Sequence, residues 1–137
     1  MINALNSAIS GIIAQSTKIS AGALNIANAD VVGSLDPNSL NQPYQAIDVN
    51  ITSSSQNGLN GGVKATVLPR QPGAIISYSP DSPFADKNGS IGVPNVNISE
   101  ELVNNLQATQ AYKASLQIIP IVKDLGEELL NAVNKKA

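Results

Sequence analysis

Apolar residues at the start of the chain recur with the spacing of a heptad repeat. Between residues 2 and 26 they are separated by alternating steps of three and four positions, which places them in one stripe along a helix. The pattern therefore predicts a long N-terminal helix that ends at the sequence NIANAD, residues 25–30. The stripe consists of Ile2, Leu5, Ile9, Ile12, Ser16, Ile19, Ala23 and Ile26.

The remaining faces of this helix carry almost no charge. Lys18 is the only charged residue between Met1 and Asn28, and most of the other positions hold Asn, Ser, Thr, Gln, Gly or Ala. A helix on the surface of a free monomer usually turns charged side chains to water. The composition therefore favours a helix that is surrounded by other chains.

The middle of the chain, from about residue 29 to residue 97, is rich in turn-forming residues but contains alternating strand patterns. Residues 44–51 and 61–69 alternate with period two and predict a β-hairpin, with Asn57-Gly58 and Asn60-Gly61 as candidate turns. A third short strand is predicted at residues 74–78. Because an isolated hairpin is barely stable, we expect it to pack on a helix or on another subunit.

A second helical pattern begins after Asn97, which with Glu100 fits an N-terminal capping arrangement. Pro120 lies inside this pattern, and a proline removes one backbone donor and clashes with the preceding turn. We therefore predict a kink or a break between Leu116 and Pro120.

These patterns predict a mainly α fold with a small β insert. The N- and C-terminal helices would form an antiparallel, coiled-coil-like pair, with a β-hairpin in a loop-rich middle. The expected organisation is an axial helix over 1–28, the middle over 29–97 and a second axial helix over 98–137. The two helical segments would pack together as one coiled-coil domain.

The composition of this 137-residue chain excludes several kinds of functional site. It contains no cysteine and no histidine, so disulfides, thiolate metal sites and the usual general base are excluded. The net charge of −2 gives no sign of nucleic-acid binding. No run of about 18 apolar residues predicts a membrane span. The N-terminus lacks the pattern of a cleaved signal peptide, which leaves a cytosolic protein or export without cleavage as alternatives.

The acidic residues do not assemble into a predicted site. The segment from Asp81 to Gly89 is oxygen-rich but lacks the ligand spacing of a calcium loop, so a turn at Asn88-Gly89 is the better interpretation. Glu100 and Glu101 are adjacent on a helix and point about 100° apart, as expected for charges at a helix start. We predict no catalytic residue, cofactor or metal site, and no enzymatic activity.

Several segments carry a family resemblance. GALNIANAD at 22–30 resembles the segment that ends the N-terminal helix of bacterial flagellar axial proteins. QPYQAIDVNI at 42–51, GGVKATVL at 61–68 and the long stretch from Tyr78 to Ser115 are similar to one branch of that rod and hook family, the C-type proximal rod proteins of the basal body. The resemblance covers nearly the whole chain.

The resemblance implies a structural subunit of the proximal rod. Such a subunit would be exported by the flagellar type III apparatus without a cleaved signal. It would polymerise in the periplasm with copies of itself and with B-type proximal rod, distal rod and rotor or export-gate adaptor proteins. The rod would transmit torque and form the export channel. A soluble helical adaptor or a secretion-linked interaction protein is the alternative.

The terminal helices are the expected contact surface between subunits. In this interpretation the apolar stripe of the first helix packs against the stripe of the second helix in neighbouring subunits, and Asn28 marks a subunit junction. The expected interface residues are Ile2, Leu5, Ile9, Ile12, Ile19, Ile26, Asn28, Leu102, Leu106, Tyr112, Leu116 and Ile119.

Overall fold

Two long antiparallel helices run along the molecule in the computed structural model, which describes residues 2–56 and 59–135. Helix α1 spans Ile2–Ala27 and helix α2 spans Ile98–Asn134. Between them the chain forms two small antiparallel sheets. The mainly α fold with a β insert is therefore confirmed.

Helix α1 ends where the sequence predicted. The side-chain amide of Asn28 donates a 2.8 Å hydrogen bond to the carbonyl of Leu24, and the backbone N–H of Val31 bonds to the carbonyl of Asn28. The Leu24 carbonyl also accepts the backbone N–H of Asn28 at 3.1 Å, so the side-chain amide adds a second donor at the last turn of the helix. Asn28 thus stabilises the C-terminal end of α1, and no glycine is present in the segment 25–30 where the helix ends.

Helix α2 is capped at its start, as predicted, and it runs through the proline. The Asn97 side chain accepts hydrogen bonds from the backbone N–H groups of Ser99 and Glu100 at 3.1 and 3.3 Å. The helix continues through Pro120 to Asn134, so the break is wrong, and the kink stays a prediction. Pro120 lies on an exposed face, where water can reach the carbonyl group that lost its partner.

The predicted hairpin consists of strands β1 (Ile47–Gln56) and β2 (Leu59–Pro69), in a register that pairs Val49 with Val67. It packs along α1. The candidate turn Asn57-Gly58 lies outside the described residues. Asn60 and Gly61 lie within β2, so the second candidate turn is wrong, because strand pairing continues as far as Gln56 and Leu59.

The second sheet contains one predicted strand and one that the sequence pattern did not indicate. Strand β3 (Ala74–Tyr78) pairs with β4 (Ser90–Pro94), whose Gly and Pro content hides its strand character. The turn at Asn88-Gly89 is confirmed. Asp86 Oδ1 accepts bonds from the backbone N–H groups of Asn88 and Ser90, and Gly89 has φ of +77°.

The buried core is thin and made mostly of alanine. Many large apolar side chains lie on the surface instead. Within the described ranges, no helix is long and apolar enough to span a membrane. The buried apolar residues are Ala8, Ala14, Ala21, Ala46, Ile91 and Ala108.

Candidate assembly surface and the polar cluster that orients it

A buried asparagine joins both helices to the base of the hairpin. Asn25 is 1% exposed, and its amide donates to Ile47 O at 2.8 Å and to Glu101 Oε1 at 3.0 Å. Its carbonyl oxygen accepts from the backbone N–H of Ile47 at 3.0 Å and from the Tyr44 hydroxyl at 3.1 Å. One side chain therefore holds four segments of the chain.

Arg70 completes this cluster from the end of β2. Its Nη2 donates to Asp48 Oδ1 and to Glu101 Oε1, each at 2.7 Å, and Nη1 donates to Asn95 O at 2.9 Å. Glu101 is 4% exposed, so its charge is held away from water beside the guanidinium. The hydrogen bond to Asp48 is the main reason that the pKa of Arg70 is raised. We call Asn25, Tyr44, Asp48, Arg70 and Glu101 the polar cluster.

Tyr44 sits at the edge of the polar cluster. Partial burial raises the pKa of its hydroxyl above the ordinary value, and the negative charge of Glu101 raises it further. Arg70 opposes this effect because a cation favours the phenolate. The protonated hydroxyl is the form that donates to Asn25.

The other end of the hairpin is tied to the first half of α1. The Ser10 hydroxyl donates to Ser7 O at 2.9 Å and accepts from the backbone N–H of Val63 at 3.1 Å. Gly62, with φ of +86°, lies against Ser10 with no room for a side chain. The hairpin is thus fixed to α1 at two points far apart along the helix.

Small residues bring the two helices close together. A side chain at Gly22 would clash with Asn105, and a Cβ at Gly11 would lie 3.1 Å from Ser115 Oγ. Ala108 is 1% exposed. The intramolecular contact therefore uses short side chains and leaves the long apolar ones for other faces.

Five of the predicted interface residues are exposed in the chain by itself. The other seven are partly covered. The structure therefore leaves parts of both stripes exposed and others partly covered within the chain, and it contains no second subunit to show what covers the exposed parts. The exposed residues are Ile2, Ile9, Leu102, Leu106 and Leu116, and the partly covered ones are Leu5, Ile12, Ile19, Ile26, Asn28, Tyr112 and Ile119.

Further large apolar side chains are exposed beyond the predicted residues, in both helices and in the middle of the chain. In α1 the exposed apolar set also includes Ile13 and Leu24. An apolar groove of about 500 Å³ separates the start of α1 from α2, lined by Ile2, Leu5, Ile119 and Val122 together with Lys123 and Gly126. The further exposed apolar residues of α2 are Ile98 and Val103 near its start and Ile118, Ile121, Leu125, Leu129, Leu130 and Val133 in its second half.

Two features of the structure were not predicted from the sequence. The small-residue contact could have been predicted, since Ala8, Gly11, Gly22 and Asn25 form a second stripe offset from the large apolar one. The polar cluster could not have been predicted in this way, because Arg70 and Glu101 are 31 residues apart and no periodic pattern connects them. Among the described residues, no group of His, Cys, Asp and Glu side chains could hold a metal ion.

Comparison with known proteins identifies the chain's family. Residues 87–132 match the family described as flagellar basal body rod FlgEFG protein C-terminal. The chain is 35% identical over 127 residues to the flagellar basal-body rod protein FlgC of Salmonella typhimurium, covering 91% of this chain and 92% of the relative. The chain belongs to the FlgC family of flagellar basal-body rod proteins.

Other FlgC proteins show the same extent of similarity. The FlgC of Escherichia coli O157:H7 is 35% identical and that of Yersinia enterocolitica is 32% identical, each over 127 residues with the same coverage of both chains. These relatives are structural rod proteins and not enzymes, which confirms both the family resemblance and the prediction of a structural protein.

Proposed function

We propose that this FlgC-family chain is a building block of the proximal rod. It polymerises with copies of itself and with other axial proteins, including B-type proximal rod, distal rod and rotor or export-gate adaptor proteins. The resulting shaft spans the periplasm, transmits torque and encloses an export channel. The subunit arrives through the flagellar type III apparatus without a cleaved signal.

The exposed apolar stripes of the two helices support this proposal. Leu106 is 68% exposed and Leu102 is 52% exposed. Since moving a leucine from full exposure to full burial contributes about 1.5 to 3 kcal/mol, covering the exposed parts would contribute roughly half to two thirds of that for each. Helix α1 has no acidic residue in its first turn and no basic residue in its last. A helix with Lys18 as its single charged residue and with several large apolar residues exposed suits packing among other helices.

The polar cluster and the small-residue contact give the subunit a fixed shape for this role. The segments 1–28 and 98–137 act as the axial unit, and the middle, 29–97, is attached to it through Asn25 and Arg70. Repeated contacts of unlike surfaces then build an open helical polymer rather than a closed ring. The function is mechanical and depends on how rigidly each subunit transmits force to the next.

The proposal is tested by placing a charge on the exposed stripe of α2. Leu106→Asp leaves the monomer folded, because the side chain is exposed, but it prevents rod incorporation and motility. Gln107→Asp adds the same charge at the neighbouring exposed position, outside the stripe, and retains both. Normal motility of the Leu106→Asp strain, with the variant present in its rods, would refute the predicted interface.

A further inference from the structure

Helix α2 extends well beyond the start of α1. The 26 residues of α1 span about 39 Å and the 37 residues of α2 about 55 Å. The antiparallel contacts pair Gly11 with Ser115 and Asn25 with Glu101, so Ile2 lies at the level of residues near Asp124. About ten residues of α2 therefore project past the described α1.

The face of α2 that contacts α1 continues into this projection. Glu101, Asn105 and Ser115 contact α1, and the buried Ala108 lies on the same face by its spacing. The same spacing of three and four runs through Ile119, Val122 and Gly126 in the apolar groove. The next positions on that face are Leu129 and Val133, which are 54% and 60% exposed. We call Gly126, Leu129 and Val133 the shelf.

We propose that the shelf holds the C-terminal end of α1 from a second copy of this chain. The inference rests on the proposed function, because it needs subunits that assemble. The second α1 continues the line of the first, so its last turns meet the start of the first α1. Leu24, 52% exposed, and the neighbouring Ala27 occupy the shelf and the groove beside it.

Two features of the molecule select this occupant. The shelf is the direct continuation of the α2 face that already receives an α1 helix. The second α1 presents its Leu24 side, because its Gly22 and Asn25 side is covered by its own α2. In addition, α1 lacks acidic residues in its first turn and basic residues in its last, so both ends of its dipole are uncompensated by side-chain charge. Placing the negative end of one α1 against the positive end of the next compensates both.

Cysteine pairs test the contact directly, since the chain contains no cysteine of its own. Leu24→Cys protein is mixed with Leu129→Cys protein, allowed to assemble and oxidised. A disulfide between them is expected if Leu24 lies on the shelf. Because a disulfide requires a Cα separation of about 4.4 to 6.8 Å, its formation reports direct contact. Leu24→Cys with Val133→Cys provides a second pair. Asn131→Cys is the control, exposed on the opposite face of α2.

The expected yield with Leu129→Cys is about tenfold or more above the yield with Asn131→Cys, as held contacts raise the effective thiol concentration. Sedimentation in parallel reports assembly. Assembled protein with equal yields for the two partners, or with Leu129→Cys linked mainly to itself, would overturn the shelf contact alone. Wild-type protein that never self-associates would overturn both this contact and the proposed self-assembly.

Discussion

The side chain of Asn25 donates a 3.0 Å hydrogen bond to Oε1 of Glu101, and both residues are buried. The two positions are 76 residues apart and belong to the end of α1 and the start of α2. Arg70 binds the same carboxylate oxygen from the end of the hairpin. The helical pair and the β insert are therefore joined at one point, and its disruption affects the whole subunit.

Removing the positive charge of Arg70 should destabilise the monomer strongly. Arg70→Met leaves the buried Glu101 carboxylate without its cationic partner. We expect a loss of about 3 kcal/mol in the free energy of unfolding, measured by urea denaturation. Lys123→Met is the matched control, because it breaks an exposed ion pair with Glu127 and should cost less than about 0.5 kcal/mol. Equal losses in the two variants would contradict the structural role of Arg70.

Two helix glycines should respond oppositely to alanine. Gly22→Ala pushes a methyl group into Asn105, and we expect a net destabilisation of about 1 to 2 kcal/mol despite the better helix propensity of alanine. Gly11→Ala places a methyl group 3.1 Å from the Ser115 hydroxyl oxygen, which bonds to Ala111 O, and a shift of a few tenths of an ångström relieves this contact. The change should therefore be neutral or stabilising by up to about 1 kcal/mol. Thermal unfolding of the two monomers measures both effects, and the reverse order would contradict the helix contact.

Stability should fall at alkaline pH through Tyr44. Its pKa is raised on folding, so the folded state holds the phenolic proton more tightly than the unfolded chain does. The resulting stability is complete below the ordinary tyrosine pKa of about 10 and is lost as pH rises through the higher pKa of the folded state. Denaturation at a series of pH values measures this fall.

Tyr44→Phe should flatten that alkaline dependence and lower stability at neutral pH, because the bond to Asn25 is lost. Tyr78→Phe serves as the control, since Tyr78 is 75% exposed and lies outside the polar cluster. An unchanged alkaline fall in the Tyr44→Phe protein would show that another group causes it.

Asn28 should matter more for assembly than for the helix that it ends. Asn28→Leu removes one hydrogen bond to Leu24, which costs about 1 kcal/mol, and places a large side chain at the proposed subunit junction. We expect the folded monomer to persist while rod incorporation falls. Asn38→Leu adds the same side chain in an exposed turn and should leave incorporation intact. The junction assignment would fail if Asn28→Leu entered the rod as the wild type does.

Local patterns in the sequence predicted the parts of the fold that depend on neighbouring residues. The heptad stripe gave α1, the alternation around Val49 and Val67 gave the hairpin, and Asn97 marked the start of α2. Strand β4 was missed because its alternation is interrupted by Gly92 and Pro94. The break expected at Pro120 did not occur, because one exposed missing hydrogen bond is tolerated in a long helix.

These local patterns do not predict contacts between residues that are far apart in the sequence. The spacing of the large apolar residues indicated the stripe of Ile2 and Ile9, whereas the two helices contact each other at Gly11 and Gly22 and through the bond of Asn25 to Glu101. The bonds of Asn25 and Arg70 depend on the tertiary arrangement alone. The predicted interface residues stay a prediction, although their exposure fits surfaces that another subunit covers.

Thiol labelling of basal bodies tests whether Leu106 is buried between subunits of the rod. Cells in which Leu106→Cys protein replaces the wild-type chain provide purified basal bodies and free monomer, and Lys64→Cys on the outer face of the hairpin reports general access. We predict that the chain is present in the basal bodies and that the thiol at position 106 reacts in the monomer but is protected in the rod. Absence of the chain from basal bodies would contradict the proposed role in the rod. Equal labelling at position 106 in monomer and rod would contradict the predicted interface.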